Sequence, residues 1–250
     1  MTFSIVARDK ASGHFGIAVA SRFFAAGAVV PHLAGQVGAI ATQALVSPLY
    51  GTEGLTLLRS GVSAQSVLDT VVDRDDGRHS RQIHLIDADG HAAAFTGEKC
   101  IDWCGHLIED NVTVAGNMLA GPQVIDAAME SYLANTDLNL PERLLTAMDA
   151  AESAGGDKRG RQSAALRIVH EEDYPWLDIR SDDHAAPLEE LRRLYAVAQE
   201  RYLHFAELMP TRDNIHGLLD RTEIDLKIAD LEAERKKAGL TSASFATPAS

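Results

Sequence analysis

The chain has 250 residues, 46% of them hydrophobic, with 36 acidic against 23 basic side chains and a formal net charge of −13. That length and apolar content suffice for one full core with a modest appendage, while the acidic balance argues against sequence-independent nucleic-acid binding, which needs clustered Lys and Arg. Two cysteines, Cys100 and Cys104, make no disulfide scaffold and fit a reducing compartment. The first residues lack the basic and apolar regions of a signal peptide, and no apolar run is long enough to span a membrane. The expected setting is cytoplasmic, with neither membrane nor nucleic acid as partner.

The chain opens with Thr2-Phe3-Ser4-Ile5-Val6-Ala7, where alternation puts Thr2 and Ser4 on one strand face and Phe3 and Ile5 on the other. Residues 9–13 read as a turn, with Gly13 free to take a positive φ. Residues 16–22 form a second apolar strand. The two make a hairpin whose ends bring Ser21 and Arg22 beside Thr2. Residues 23–35 read as a loop or short strand, and 37–44 as an apolar strand ending in Thr42 and Gln43. Ser47-Pro48 marks a helix start, with the helix expected over 49–59 and ended by Gly61. Ser63 caps a second helix carrying Val67, Leu68, Val71 and Val72 at helical spacing.

Residues 81–87 alternate, Gln82 and His84 against Ile83 and Leu85, and Asp89-Gly90 turns them into a second hairpin. Strands are expected around 101–108 and 112–117, then helices over 123–134 and from Leu140 to the Gly155-Gly156 break. Strands return at 163–170 and 177–180. This order of strands, helix pair, strands, helix pair, strands suits two stacked sheets with helices on both outer faces: an α+β fold in four αββα layers. A doubly wound parallel sheet would alternate single strands and helices instead. An amphipathic helix is expected from Pro187 to about Met209, and a charged one over 215–237. The domains are therefore a body over 1–186, C-terminal helices over 187–240 packing on the body or on a partner subunit, and a disordered tail over 241–250. The spare apolar faces of those helices point to a homo-oligomer, a dimer.

Four groups could carry chemistry. Removal of Met1 would leave Thr2 with a free α-amine beside its own hydroxyl, a nucleophile with a built-in general base. Arg22, at the partner strand's end, suits a substrate carboxylate. Gln43 and Asn117 close two other strands, and an Asn amide can donate to a developing oxyanion. In the segment 155–164, three glycines surround Asp157, Lys158, Arg159 and Arg161, with Gln162 following; Asp157 and Arg159 suit orienting the nucleophile or gripping an anion. It is not a phosphate-binding P-loop, because its glycines follow a helix and lack the lysine spacing. Cys100, Cys104 and His106 lack further ligands for zinc, and Asp73, Asp75 and Asp76 read as solvated, so neither metal nor cofactor is expected.

The segments Thr2 to Asp9, Gly16 to Arg22, Gly38 to Ala44, Gly116 to Leu119 and Gly155 to Ala164 together resemble the DUF1028 family, from Thr2 to about Tyr195. That family looks like a branch of the N-terminal-nucleophile (Ntn) hydrolases, whose fold is an αββα sandwich. The opening also resembles the start of a proteasome β-subunit. The resemblance implies an amidohydrolase acting on an amide of a small polar molecule, with Thr2 or, as the alternative, Ser4 as nucleophile. Asn117 and Asp157 would complete the catalytic group, and Arg22, Gln43, Arg159 and Gln162 would bind substrate. The rival reading is a non-catalytic ligand-binding or structural protein on the same scaffold.

Overall fold

The computed structural model describes residues 2–246. Met1, whose removal would expose Thr2, and residues 247–250 of the expected tail lie outside the described residues.

The opening hairpin forms as expected, β1 (Thr2–Arg8) against β2 (Phe15–Ser21), with Thr2 opposite Ser21 and Arg8 opposite Phe15. Asp9 shapes its turn by accepting from the amides of Ala11 and Ser12, and Gly13 takes φ 77°. With β7 (Trp103–Glu109), β8 (Val112–Leu119), β9 (Ser163–Val169) and β10 (Leu177–Ser181) the hairpin builds a six-stranded antiparallel sheet in the order β10-β9-β2-β1-β8-β7. A second antiparallel sheet has the order β3-β4-β5-β6, from Pro31–Ala34, Gly38–Ala44, Arg81–Asp87 and Ala92–Thr96. β3 lies where the sequence leaves a loop or short strand open; Pro31 suits it because it opens an edge strand, where a missing N–H costs no ladder bond.

Alternation decides what each strand face meets. Val6, Phe15, Ile17, Val19, Ala39, Ala41 and Ile86 form one apolar cluster drawn from both sheets. The opposite face of the smaller sheet, Ile40, Ile83 and Leu85, is covered by α1 (Pro48–Arg59) and α2 (Ala64–Asp73) through Tyr50, Leu58, Val67 and Val71. α3 (Gln123–Ala134) and α4 (Leu140–Ser153) lie on the larger sheet, against β8 and β2 respectively. A Cβ at Gly16 would fall 2.6 Å from Leu144 Cδ1, so α4 reaches β2 because no side chain intervenes. Ser63 Oγ and Asn139 Oδ1 cap α2 and α4, whereas Ser47 precedes α1 without a side-chain cap. The fold is mixed α+β, two antiparallel sheets with helices packed on them.

Contacts divide the chain into a first unit through Leu188 and a second from Glu189. The expected helix from Pro187 appears as α5 (Pro187–Val197), a π-helical segment Ala198–Tyr202 and α6 (Leu203–Ala206). The last helix, α7 (Thr222–Lys237), starts later than expected because Gly217 sits at φ 64°, outside helical geometry. Within the second unit, Glu200 accepts from Arg235, from Ser242 Oγ and from the Ala243 amide. No helix among the described residues is long and apolar enough to cross a membrane.

Candidate active site

Antiparallel register aligns Ser163, Ser21, Thr2 and Asn117 across β9, β2, β1 and β8. Residues directly opposite share a face, so these side chains form one polar row at one end of the larger sheet. Gln43, Gln82 and Thr96 form a second row across β4, β5 and β6. Hydrogen bonds between the sheets join the rows, with Ser4 and His84 two residues further along their strands.

The donor directions follow from acceptors that cannot change role. Gln82 Nε2 lies 3.1 Å from the Gly105 carbonyl and 2.9 Å from that of Gly116, so Nε2 must face them. Gln82 Oε1 then accepts from Gln43 Nε2 at 2.8 Å and Asn117 Nδ2 at 3.0 Å. Gln43 therefore turns Oε1 to Ser4, whose hydroxyl donates to it at 2.7 Å. Ser4 has one proton, so its 2.8 Å contact with His84 Nε2 is an N–H donated by the imidazole. Burial pushes the His84 pKa down to about 3, helped by repulsion from a charged His106 and opposed by the Thr113 backbone. The ring is thus neutral, with its proton on Nε2 facing Ser4. Ser4, fully buried, points its proton at an amide oxygen rather than at a base.

Thr2 stands at the edge of this network. Its Oγ1 is 3.1 Å from Ser21 Oγ, and Asn117 Nδ2 lies 3.5 Å from its carbonyl oxygen. Beyond Ser21 the glycine-rich loop folds back on the strand end. The Asp157 carboxylate accepts the Arg22 amide and the Arg159 amide, each at 2.8 Å, and meets the Arg159 guanidinium at 3.4 Å. Arg22 Nη1 donates to the Arg159 carbonyl at 2.7 Å, and Arg159 Nη2 to that of Arg22 at 3.2 Å. The two arginines are clasped through their backbones. Gln162 donates its amide to the Ser21 carbonyl and its side chain to Asp183, away from the other site residues.

A cleft of about 340 Å³ opens here, with Asn117, Met118, Arg159, Lys99, Ala44 and Leu45 among its lining residues. Ala44 and Met118 hold φ values of 67° and 55°, left-handed backbone that costs a non-glycine residue of order 1 kcal/mol or more. Each directly follows a residue of the polar rows, Gln43 and Asn117, so the strained positions mark where both strands bend away into the cleft. Gln43 itself is buried in the network and Ala44, not Gln43, reaches the cleft.

Asp75 departs from expectation. It accepts from Tyr50 Oη at 2.6 Å, Arg81 Nε at 2.7 Å and the Gly77 amide at 2.7 Å, and the Arg81 bond chiefly holds its pKa down to about 2. Arg81 in turn donates to the Leu45 carbonyl at 2.6 Å, propping the cleft wall. Sequence reasoning missed Asp75, Gln82, His84 and Lys99 as site residues. The alternation of Gln82 and His84 was the available signal, but alternating polar residues read as a solvent face until a second sheet covers them. Burial pushes the Cys100 thiol, which also lines the cleft, up to about 11.

Two groups of potential metal ligands occur among the described residues, both outside the cleft. In the first, the His14 and His170 rings stack at 3.6 Å and 13°, so their in-plane lone pairs run side by side rather than converging, and His14 already meets Glu171. In the second, Asp87 is occupied by the amides of Ala64, Asp89 and His91.

A model described as a family of unknown function, DUF1028, matches residues 2–191. The chain belongs to the DUF1028 family. A solved DUF1028 structure, protein SPO2555 from Silicibacter pomeroyi, superposes with a TM-score of 0.82 at 35% identity, covering 88% of this chain and 96% of that one. Anbu, an ancestral β-subunit from Yersinia bercovieri, matches at TM-score 0.38 and 12% identity over 84% of this chain and 99% of its own, too distant a likeness to bear on activity. No curated protein matches the chain.

Proposed function

We propose that this DUF1028 protein is an Ntn-type amidohydrolase, acting on an amide bond of a small polar molecule with Thr2 as nucleophile. The observation that carries this reading is the row Ser21–Thr2–Asn117, whose Asn117 end lines a cleft shared with Arg159. The two sheets with helices on their outer faces support the αββα layering of that superfamily.

In this reading Thr2 Oγ1 attacks the amide carbonyl while its α-amine accepts the hydroxyl proton. The oxyanion accepts from Asn117 Nδ2, one of whose hydrogens has only the long 3.5 Å contact with Thr2 O. The C–N bond then breaks, the proton passes from the amine to the departing nitrogen, and an acyl ester remains on Thr2. Water, deprotonated by the same amine, hydrolyses that ester. Ser21 orients the Thr2 hydroxyl. Asp157 is a positioning residue, because its carboxylate holds backbone amides, and Arg22 and Arg159 bind substrate. Ser4 is disfavoured as nucleophile by its burial and its bond to Gln43. The proposed compartment is the cytoplasm and the proposed assembly a homodimer, which a monomeric mass at micromolar concentration would overturn.

Intact mass comes first, since Thr2 needs a free amine. A screen of small amides should then trap an acyl adduct on Thr2, with turnover lost in Thr2→Ala. A fully active Thr2→Ala protein would overturn the assignment.

A further inference from the structure

We propose that the cleft takes N-acyl amino acids, with a carboxylate on the amine side of the scissile amide and an apolar acyl chain on the other; this rests on the amidohydrolase reading above. Acidic residues outnumber basic ones 36 to 23 in the chain, yet no Asp or Glu lines the cleft, whereas Lys99 and Arg159 do. Arg22 joins them through its bond to the Arg159 carbonyl. Asp157 is the carboxylate bonded into this cluster, and two backbone amides already occupy it. Asp102, next to Ile101, is paired with Lys158 at 2.5 Å. Two guanidiniums and an ammonium against one carboxylate leave this end of the cleft positive.

The donors are also available. The Lys99 ammonium has no hydrogen bond or ion pair among the described residues, and Arg159 uses Nη2 alone, on Asp157 and the Arg22 carbonyl. An incoming carboxylate would gain charge-assisted bonds without displacing an existing partner. The lining is also partly apolar. Leu45 and Ile101 belong to it while 62% and 60% exposed, uncovered surface that an acyl chain would remove from water. A volume of about 340 Å³ suits one small molecule.

The test is calorimetric binding of N-hexanoylglycine and of its neutral carboxamide to full-length Thr2→Ala protein, where no turnover is needed. The acid should bind at least about tenfold more tightly than the carboxamide, and about 0.5 M salt should narrow that gap. Lys99→Met should weaken the acid about tenfold, leave the carboxamide unchanged and leave the ligand-free melting temperature unchanged; Lys99→Gln is the second variant should the first misfold. Equal binding of the two probes, binding of neither, or no effect of Lys99 substitution would overturn the proposal. Lys99-dependent binding of inorganic phosphate with no binding of the acid would overturn its carboxylate assignment. Wild-type protein that binds the acid selectively but leaves it intact would uphold the anion site and sink the hydrolase reading alone.

Discussion

The β1–β2 hairpin has two ends, and they differ in kind. At the turn end, three titratable side chains, His14, His170 and Glu171, gather beside Trp176. Yet the imidazoles stack face to face, and burial pushes the His170 pKa down to about 4, so its ring is uncharged at neutral pH and serves this end as a stacking surface. At the open end the groups are mostly uncharged hydroxyls and amides, and along one chain of them the direction is set by fixed carbonyls and passed from Gln82 to Gln43 to Ser4. Oriented donors beside an exposed cleft make a better candidate for catalysis than a cluster of titratable groups, because preorganisation stabilises a developing charge and proximity alone does not.

Breaking the two ends in turn should give opposite results. Thr2→Ala at the open end should lower turnover of an amide substrate by about 10³-fold or more, while His170→Ala at the turn end should leave kcat within about twofold. Comparable losses from both would erase the distinction. Within the network, Gln82→Leu strands Gln43 Nε2, Asn117 Nδ2 and two carbonyls, and should cost about 3 kcal/mol in urea unfolding. A loss below about 1 kcal/mol would show that the directed chain is not holding the sheets together.

Acid sharpens the same contrast. Unfolded His84 takes its proton near pH 6.5, but the folded ring, buried without charge, does not until about pH 3. Across that window the unfolded state binds the extra proton, so stability falls as pH falls, by up to about 1.4 kcal/mol per unit from this residue. Above pH 6.5 it contributes no slope. His84→Gln, which can still donate to Ser4, should flatten the stability–pH curve between pH 6 and about 4, followed by denaturant midpoints. An unchanged slope would assign the acid sensitivity elsewhere. The smallest effect is expected from Asp157→Asn: one acceptor oxygen survives, so the Arg22–Arg159 clasp should loosen, raising KM several-fold with kcat changed less. A kcat collapse with KM intact would move Asp157 from positioning into the chemistry.

Much of the framework is legible in local patterns. Alternation and the Gly13 turn specify the hairpin and hence the pairing of Thr2 with Ser21, while Ser63 and Asn139 announce their helices. The glycines of 155–160 mark a loop that must adopt left-handed backbone, and Gly155, Gly156 and Gly160 do so. What local pattern does not carry is the identity of the cover over each face. Gln82 and His84 have the spacing of a solvated strand face, and they are buried because the larger sheet lies over them. Asp75 has the look of a solvated acid after a helix, and becomes a strut because Tyr50 and Arg81 arrive from elsewhere in the chain. Lys99 belongs to no motif and gains its place only where the loop after β6 meets the end of β8. The sequence by itself determined the strands, their hairpin register and the nucleophile candidate, since these depend on neighbours a few bonds away. The tertiary structure decided the directed network and the cationic cleft, since hydrogen-bond direction and local charge depend on groups that the chain brings together only when the sheets close.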